Sequence, residues 1–469
     1  MAGLCALRRS SQNMHRPPRQ SNPPGRNESR VRARYLTGAR CTGHSSRRGI
    51  LGYGLVTCPH SAIPVSRRAT GSIPITRSPP KIPLLTALIS ASVIAYNLFL
   101  PSIPDIAVEL DVATFTVQGA LIVFLIAYAL AHFLYGGVSD RFGRRPTLLW
   151  GLAIYMLASL LCAASTSMTM LLIARILQGV GAAGSVVMVR SIVRDLYNRQ
   201  DAARALAVIS SVMVFAPATA PAVGGFLHTQ FGWEASFYFL AIIGAVLFAY
   251  CFMRMEETNQ TDRSNLMRNL HTMVSGYAVL IRERSFVAYN LNIGFIGGAI
   301  FAWFAATPLV LIESYGVAPD TYGLLMMTGT SGAFCGYFSA IWLTGRLGVN
   351  RMIVVGTATG FAGATIYLAL PLAGIFTPLA ATAPIFVFNL GLSMTFPAVM
   401  AAAVSVRPDY AGSAAAMNGL MQYGMAACTT LLVGTLPHTT HLPLAWVMFL
   451  FQGGALVAAV VGWRARPVE

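Results

Sequence analysis

Charge is scarce in this chain. Only 10% of its residues are Asp, Glu, Lys or Arg while 55% are hydrophobic, and so few polar side chains cannot coat a soluble surface of this size. An ordinary soluble globular protein is thereby excluded. No CxxC occurs, and the seven cysteines, Cys5, Cys41, Cys58, Cys162, Cys251, Cys335 and Cys428, are scattered without paired spacing. They read as small apolar packing residues, and no redox compartment follows from them. No nucleophile stands beside a positioned base, so no enzyme is indicated. His438 and His441 lack the further ligands that a metal site needs.

The basic excess has a narrow source. Of the formal charge of +17, residues 1–81 supply +14, with 15 basic residues against the single Glu28. That stretch is rich in Arg, Ser, Pro and Gly and has no apolar periodicity, so it is not expected to fold on its own. Its composition suits a transit peptide, and Ser46-Arg47-Arg48-Gly49-Ile50-Leu51 faintly resembles a twin-arginine signal. Nucleic-acid binding would need aromatic interleaving, which is missing, and no nucleic-acid partner is expected. A start site placed too far upstream is the preferred reading, because the hydrophobic body begins cleanly at Ile82.

From Ile82 onward the chain is a succession of apolar runs close to the ~20 residues that cross a bilayer as helix. They fall at 83–103, 117–137, 146–165, 168–190, 204–227 and 234–254, and again at 286–312, 321–344, 351–372, 377–403, 412–435 and 442–463. An all-α membrane protein of twelve spans in two six-helix halves follows, 82–254 and 286–464, joined by a charged linker over 255–285. The loops on one side hold Arg141, Arg144, Arg145, Arg194, Arg254, Arg282, Arg346, Arg351 and Arg407, while those on the other contain no Lys or Arg. The positive-inside rule then puts both termini in the cytoplasm.

One short stretch organises the rest: Gly136-Gly137-Val138-Ser139-Asp140-Arg141-Phe142-Gly143-Arg144-Arg145-Pro146. Two glycines are expected to end one helix, an acid and three arginines stand at the water boundary, and Pro146 opens the next helix where its missing N–H costs nothing. Shifting this stretch by 205 residues lands on Gly345-Arg346-Leu347-Gly348-Val349-Asn350-Arg351, so that Arg141 meets Arg346 and Gly143 meets Gly348, while Asp140 meets Gly345. A six-plus-six repeat with a degraded second copy is the pattern of duplicated transporters, whose substrate route runs between the halves.

These residues resemble the major facilitator superfamily, and within it the drug:proton antiporters of the bicyclomycin-resistance type. Gly136, Asp140, Arg141, Gly143, Arg144 and Arg145 match its GxxxDRxGRR signature between spans 2 and 3. In span 4, Arg175-Ile176-Leu177-Gln178-Gly179 is similar to RxxQG, and Pro221-Ala222-Val223-Gly224-Gly225 is similar to the end of the antiporter signature of span 5. There Ala216 and Ala220 replace two glycines. Asn97-Leu98-Phe99-Leu100-Pro101-Ser102-Ile103-Pro104 is similar to the bicyclomycin-type span 1. The resemblance implies export of drugs by alternating access with the proton as coupling ion and no cofactor. It also implies a monomer in a bacterial inner membrane, handling a small hydrophobic or amphipathic substrate and lined by spans 1, 4, 7 and 10. Uptake or facilitated diffusion of a metabolite is the alternative, and a non-transporting sensor or scaffold a more distant one.

Each motif also has a physical reading. Asp140 would sit near the start of span 11, where Ala411, Gly412 and Ser413 leave N–H groups free, and a carboxylate there gains ~0.3–1 kcal/mol. It would latch the two halves; otherwise it caps the helix at Pro146 or pairs with Arg144. Arg175 lies about 10 Å inside its span, counting from Met168 at ~1.5 Å per residue. A charge at that depth faces a cavity or a partner, and Asn97 lies at a similar depth. Relatives of this type carry an acid in span 1, whereas Asn97 cannot titrate. The nearest carboxylates, Asp105 and Glu313, lie at outer ends of spans, and no span has an acid near its middle. Tyr96, Met188, Phe301, Trp303, Phe304, Phe388, Asn389, Met394 and Phe396 offer an adaptable apolar lining. Gly179-Val180-Gly181-Ala182-Ala183-Gly184 spells a dinucleotide fingerprint but lies inside an apolar helix, where close helix packing explains it. His132 in span 2 reads as a packed histidine.

Overall fold

A computed structural model describes residues 82–197, 199–258, 275–437 and 439–465. The expectations for the tail of residues 1–81, for the middle of the linker and for His438 fall outside the described residues.

Among the described residues every regular element is helical, as required where no water is present to satisfy backbone groups. Span 1 is Ile82–Asn97, continued past a 3-10 turn at Leu100–Ser102 by Ile103–Glu109. Pro101 and Pro104 withhold two N–H groups there and fix the break. Spans 2 to 6 are Thr114–Phe142, Arg144–Ala163, Met168–Leu196, Arg199–Phe231 and Glu234–Arg254. Span 7 is Arg284–Pro308, ending in a wide π turn at Leu309–Ser314, and span 8 is split into Pro319–Thr330 and Gly332–Leu347. Spans 9 to 12 are Val349–Leu372, Ile385–Ser405, Ala411–Gly434 and Leu442–Arg464. Ten of these are long and apolar enough to cross a membrane. Spans 5 and 11 fall outside those ten; span 11 packs on spans 2 and 7, so its small and polar residues face protein.

Three expected boundaries shift. Gly136 and Gly137 do not end span 2; its helix runs on to Phe142 and stops at Gly143, whose φ of 102° and ψ of 159° suit glycine alone. Span 10 starts at Ile385, because residues 378–384, with Pro378 and Pro384, form turns. Span 8 breaks near Ser331, where Gly332 lies so close to span 10 that a Cβ would meet the Phe386 carbonyl oxygen at 1.9 Å.

The helix pairings of the first six spans recur in the second six. Spans 1 and 5, 2 and 4, 3 and 4, and 3 and 6 pack together, as do 7 and 11, 8 and 10, 9 and 10, and 9 and 12. The echo of the signature loop is equally literal. Gly348 ends span 8 with φ 76° and ψ 164°, and its N–H donates to the Thr344 carbonyl oxygen just as that of Gly143 donates to Ser139, both at 3.0 Å. Across the halves, span 2 lies on span 11 and span 5 on span 8. Spans 1 and 7 meet through Tyr96 and Phe301, 5.2 Å between ring centroids.

Candidate functional site

The site is built around Arg175, one of the largest fully buried side chains. Its Nη1 donates to the Ala95 carbonyl oxygen of span 1 at 3.0 Å and to Gln178 Oε1, and its Nε donates to the Ala120 carbonyl oxygen of span 2 at 3.4 Å. The guanidinium lies 4.2 Å from the Phe99 ring centroid and 4.5 Å from that of Phe124. Rings of this kind stabilise a cation by their quadrupole. Nη2 is buried without a hydrogen-bond partner. Among the described residues no carboxylate pairs with Arg175, so the charge is held by carbonyl oxygens, an amide and aromatic faces.

The other half of the span 4 motif carries the network onward. Gln178 Nε2 donates to Ser159 Oγ of span 3 at 2.8 Å, and Ser159 donates to the Tyr155 carbonyl oxygen at 2.7 Å. Tyr155 in turn donates its hydroxyl to the Ala91 carbonyl oxygen of span 1 at 3.1 Å. Arg175 and Gln178, one turn apart on one helix face, thus tie spans 1, 2 and 3 to span 4. The glycines of that helix permit the close approach: a Cβ at Gly179 would meet the Phe124 carbonyl oxygen at 2.6 Å, and one at Gly181 the Tyr155 nitrogen at 2.4 Å. Helix packing accounts for the GxGxxG spelling.

Asn97 is fully buried, with Nδ2 donating to the Val93 carbonyl oxygen at 3.0 Å and Oδ1 unpartnered. Arg175 reaches span 1 two residues away, at Ala95. Asp105 and Glu313 belong elsewhere. Asp105 pairs with His228, and Glu313 accepts from Thr114 Oγ1 at 2.9 Å. Both line a groove of about 650 Å³ with Pro104, Asp111 and Val112 at the end of the bundle remote from the signature loop.

In span 5, the Pro221 motif serves two neighbours. A Cβ at Gly224 would lie 1.8 Å from the Leu98 carbonyl oxygen of span 1, and one at Gly225 would lie 2.2 Å from the Pro319 carbonyl oxygen of span 8. Adjacent glycines therefore allow one helix to touch both halves.

At the signature loop, Arg144 is almost wholly buried and holds Asp140 at 2.6 Å and Asp195 at 2.9 Å. Asp140 is thus engaged in the local pairing. Glu257, at the start of the linker, accepts the backbone N–H of Arg144 at 2.8 Å and of Arg145 at 3.2 Å, capping span 3. Arg145 Nη2 donates to the Phe252 carbonyl oxygen at 2.7 Å, and Arg141 lies over the ring of Phe142. The cap by Glu257 had no sequence signal, because its partner is 113 residues away.

Between the halves an aromatic wall joins Tyr96, Phe301 and Phe304 with Tyr128, His132 and Tyr423 of spans 2 and 11. Attention to spans 1, 4, 7 and 10 missed Tyr128 and Tyr423, while His132, an imidazole inside an apolar run, was read as a packed histidine and is buried. Trp303 donates to the Ala381 carbonyl oxygen at 3.3 Å, Asn389 donates to that of Gly329 at 3.1 Å, and Phe388 lies against Gly363. Those side chains brace the second half.

A profile of the Major Facilitator Superfamily matches residues 85–430. The chain belongs to this superfamily. It is 30% identical over 369 residues to the uncharacterized MFS-type transporter YdgK of Bacillus subtilis (strain 168), covering 78% of this chain and 89% of that one. It is 28% identical to Multidrug resistance protein D of Escherichia coli (strain K12) and 28% identical to the Bicyclomycin resistance protein homolog of Haemophilus influenzae, each covering 78% of this chain and 91% of the relative. The chain is therefore a multi-pass membrane protein of a transporter family.

Proposed function

We propose that this chain is a secondary transporter that exports small hydrophobic or amphipathic compounds, antibiotics among them, by alternating access. It works as a monomer in the bacterial inner membrane, with both termini cytoplasmic as the arginine-bearing loops require, and exchanges its substrate for protons. The observation that carries this reading is the buried, uncompensated Arg175. A cation costs too much inside a membrane protein to be kept for packing alone, and Arg175 joins four spans beside an aromatic wall shared by both halves. Export is favoured by relatives whose names specify multidrug and bicyclomycin resistance.

Alternating access also needs a conformational control. Asp140 and the arginines around it serve as that control at the basic end of the bundle, with Pro221, Gly224 and Gly225 allowing spans 5 and 8 to slide. Uptake or facilitated diffusion is the second reading. It is favoured by Asn97, which cannot carry a proton, and by the engagement of Asp105 and Glu313 in contacts at one end of the bundle.

Expression in a host lacking its main efflux pumps, screened against a compound panel that includes bicyclomycin, tests the proposal. Export predicts lower intracellular drug with the wild type than with Arg175→Gln at equal membrane levels. Raised intracellular levels would instead favour uptake.

A further inference from the structure

Span 2 and span 11 form the seam between the halves, and one titratable side chain lies in it. His132 is buried, at 5% exposure, inside the long helix Thr114–Phe142. Its Nδ1 is 2.9 Å from the carbonyl oxygen of Tyr128, one turn earlier. A carbonyl oxygen only accepts, so Nδ1 carries a proton and the neutral ring presents a bare lone pair at Nε2. That nitrogen is buried and has no hydrogen-bond partner.

The surroundings belong to both halves. The ring centroid is 4.4 Å from that of Tyr128 on its own helix and 5.6 Å from that of Tyr423 on span 11. Opposite the ring edge, span 11 presents Gly419; a methyl group there would meet Cδ2, the atom bonded to Nε2, at 3.5 Å. The remaining charged group acting on the imidazole is the Arg190 guanidinium of span 4, which also acts on Tyr128 and Tyr423, while the Tyr96 phenol of span 1 acts on Tyr128. Among the described residues no carboxylate pairs with His132.

We propose that His132 is the proton-binding group that couples transport in this chain, in place of the span 1 acid that Asn97 replaces. This rests on the proton-coupled reading above. One proton adds to the Nε2 lone pair from water on one side of the membrane, Nδ1–H stays on the Tyr128 carbonyl oxygen, and the same proton leaves to water on the other side. An imidazolium in the closed seam would be repelled by the Arg190 charge and, among the described residues, would pair with no acid, so the charged ring favours the arrangement in which spans 2 and 11 part and water solvates it. The neutral ring favours the closed seam. Such a differential preference is what lets a proton shift a two-state equilibrium.

The test uses full-length protein in proteoliposomes with bicyclomycin as probe, and reads two quantities, drug exchange at equal pH and accumulation driven by a pH gradient. His132→Gln should lower gradient-driven accumulation about tenfold more than it lowers exchange, a coupling loss of ordinary size. Arg190→Gln should move the pH dependence of the driven process to higher pH, since a neighbouring cation opposes protonation. A purely structural histidine would not predict that shift.

Nitrogen NMR of histidine-labelled wild type supplies a reading independent of how the variants fold. One of the eight imidazole signals should be missing from His132→Gln, and in the wild type that signal should pass from the Nδ1–H tautomer to imidazolium over the pH range in which gradient-driven accumulation changes. Gradient-driven accumulation by His132→Gln equal to that of the wild type would overturn the assignment to His132 while leaving coupling intact. Exchange without any gradient response in the wild type would overturn coupling itself, and this inference with it.

Discussion

The two copies of the signature loop differ in what faces their glycine, and that difference predicts a stability contrast. Gly143 (φ 102°, ψ 159°) and Gly348 (φ 76°, ψ 164°) occupy the same glycine-only region of backbone space. Alanine at either position should therefore cost about 1–3 kcal/mol in backbone strain. At Gly348 nothing lies within 4 Å of the added methyl, whereas at Gly143 it would lie 2.3 Å from Glu257 Oε2. The carboxylate must move, and it releases the N–H groups of Arg144, Arg145 and Thr258 that it now accepts at 2.8, 3.2 and 3.0 Å. A hydrogen bond to a charged group contributes about 1.5–3 kcal/mol when buried, and solvent at this half-buried loop recovers much of it. A further loss of about 1–3 kcal/mol in total is expected.

Equilibrium unfolding of the full-length protein in mixed micelles, titrated with dodecyl sulfate, measures both costs. Gly143→Ala should be the more damaging by that second amount, and the excess should vanish when Glu257→Ala is already present, because the clash and the cap are then both gone. Equal costs for Gly143→Ala and Gly348→Ala, or an excess that survives Glu257→Ala, would refute the argument.

Two further outcomes follow from the same geometry. Asp140→Asn leaves Arg144 with Asp195 as its remaining carboxylate among the described residues; drug export should be abolished while the protein stays in the membrane, and unchanged export in the efflux-deficient host would remove Asp140 as a conformational control. His441 precedes span 12, its Nδ1 2.7 Å from the Tyr315 hydroxyl and its ring among Tyr367 and Phe376. Burial lowers its pKa from 6.5 to about 4, so the unfolded chain takes up this proton first. Stability should fall as pH drops below 6.5, with the loss complete below about 4. The thermal midpoint of His441→Asn should decline less over that interval than the wild type's, and parallel declines would remove His441 as a cause.

How much of this was legible in the sequence depends on what kind of constraint each feature obeys. Span count follows from local composition, since a bilayer imposes a length on every apolar run, and the arginine bias of the loops is what carries the proposed sidedness. Gly143 and Gly348 were legible for a related reason: both copies need the same backbone conformation, and glycine is the residue that adopts it. The end of span 2 was misread because Gly136 and Gly137 resemble a stop, yet helical hydrogen bonds continue through them to Phe142. Glycine weakens a helix by about 1 kcal/mol without ending it, and only the positive φ at Gly143 does so.

The site divides along the same line. Arg175 stood out because charge is conspicuous in an apolar run, and Gln178 because it lies one turn away. Its aromatic cage could not be read, since Phe99 and Phe124 come from two other spans and aromatic residues are common in all of them. The seam of Tyr128, His132 and Tyr423 was hidden more deeply still. Spans 2 and 11 are brought together only by the packing of one half on the other, so the significance of His132 lies in its surroundings. A buried Nε2 without a hydrogen-bond partner, on a ring whose Cδ2 edge lies against Gly419 of the opposite half, is the observation on which its proposed role rests.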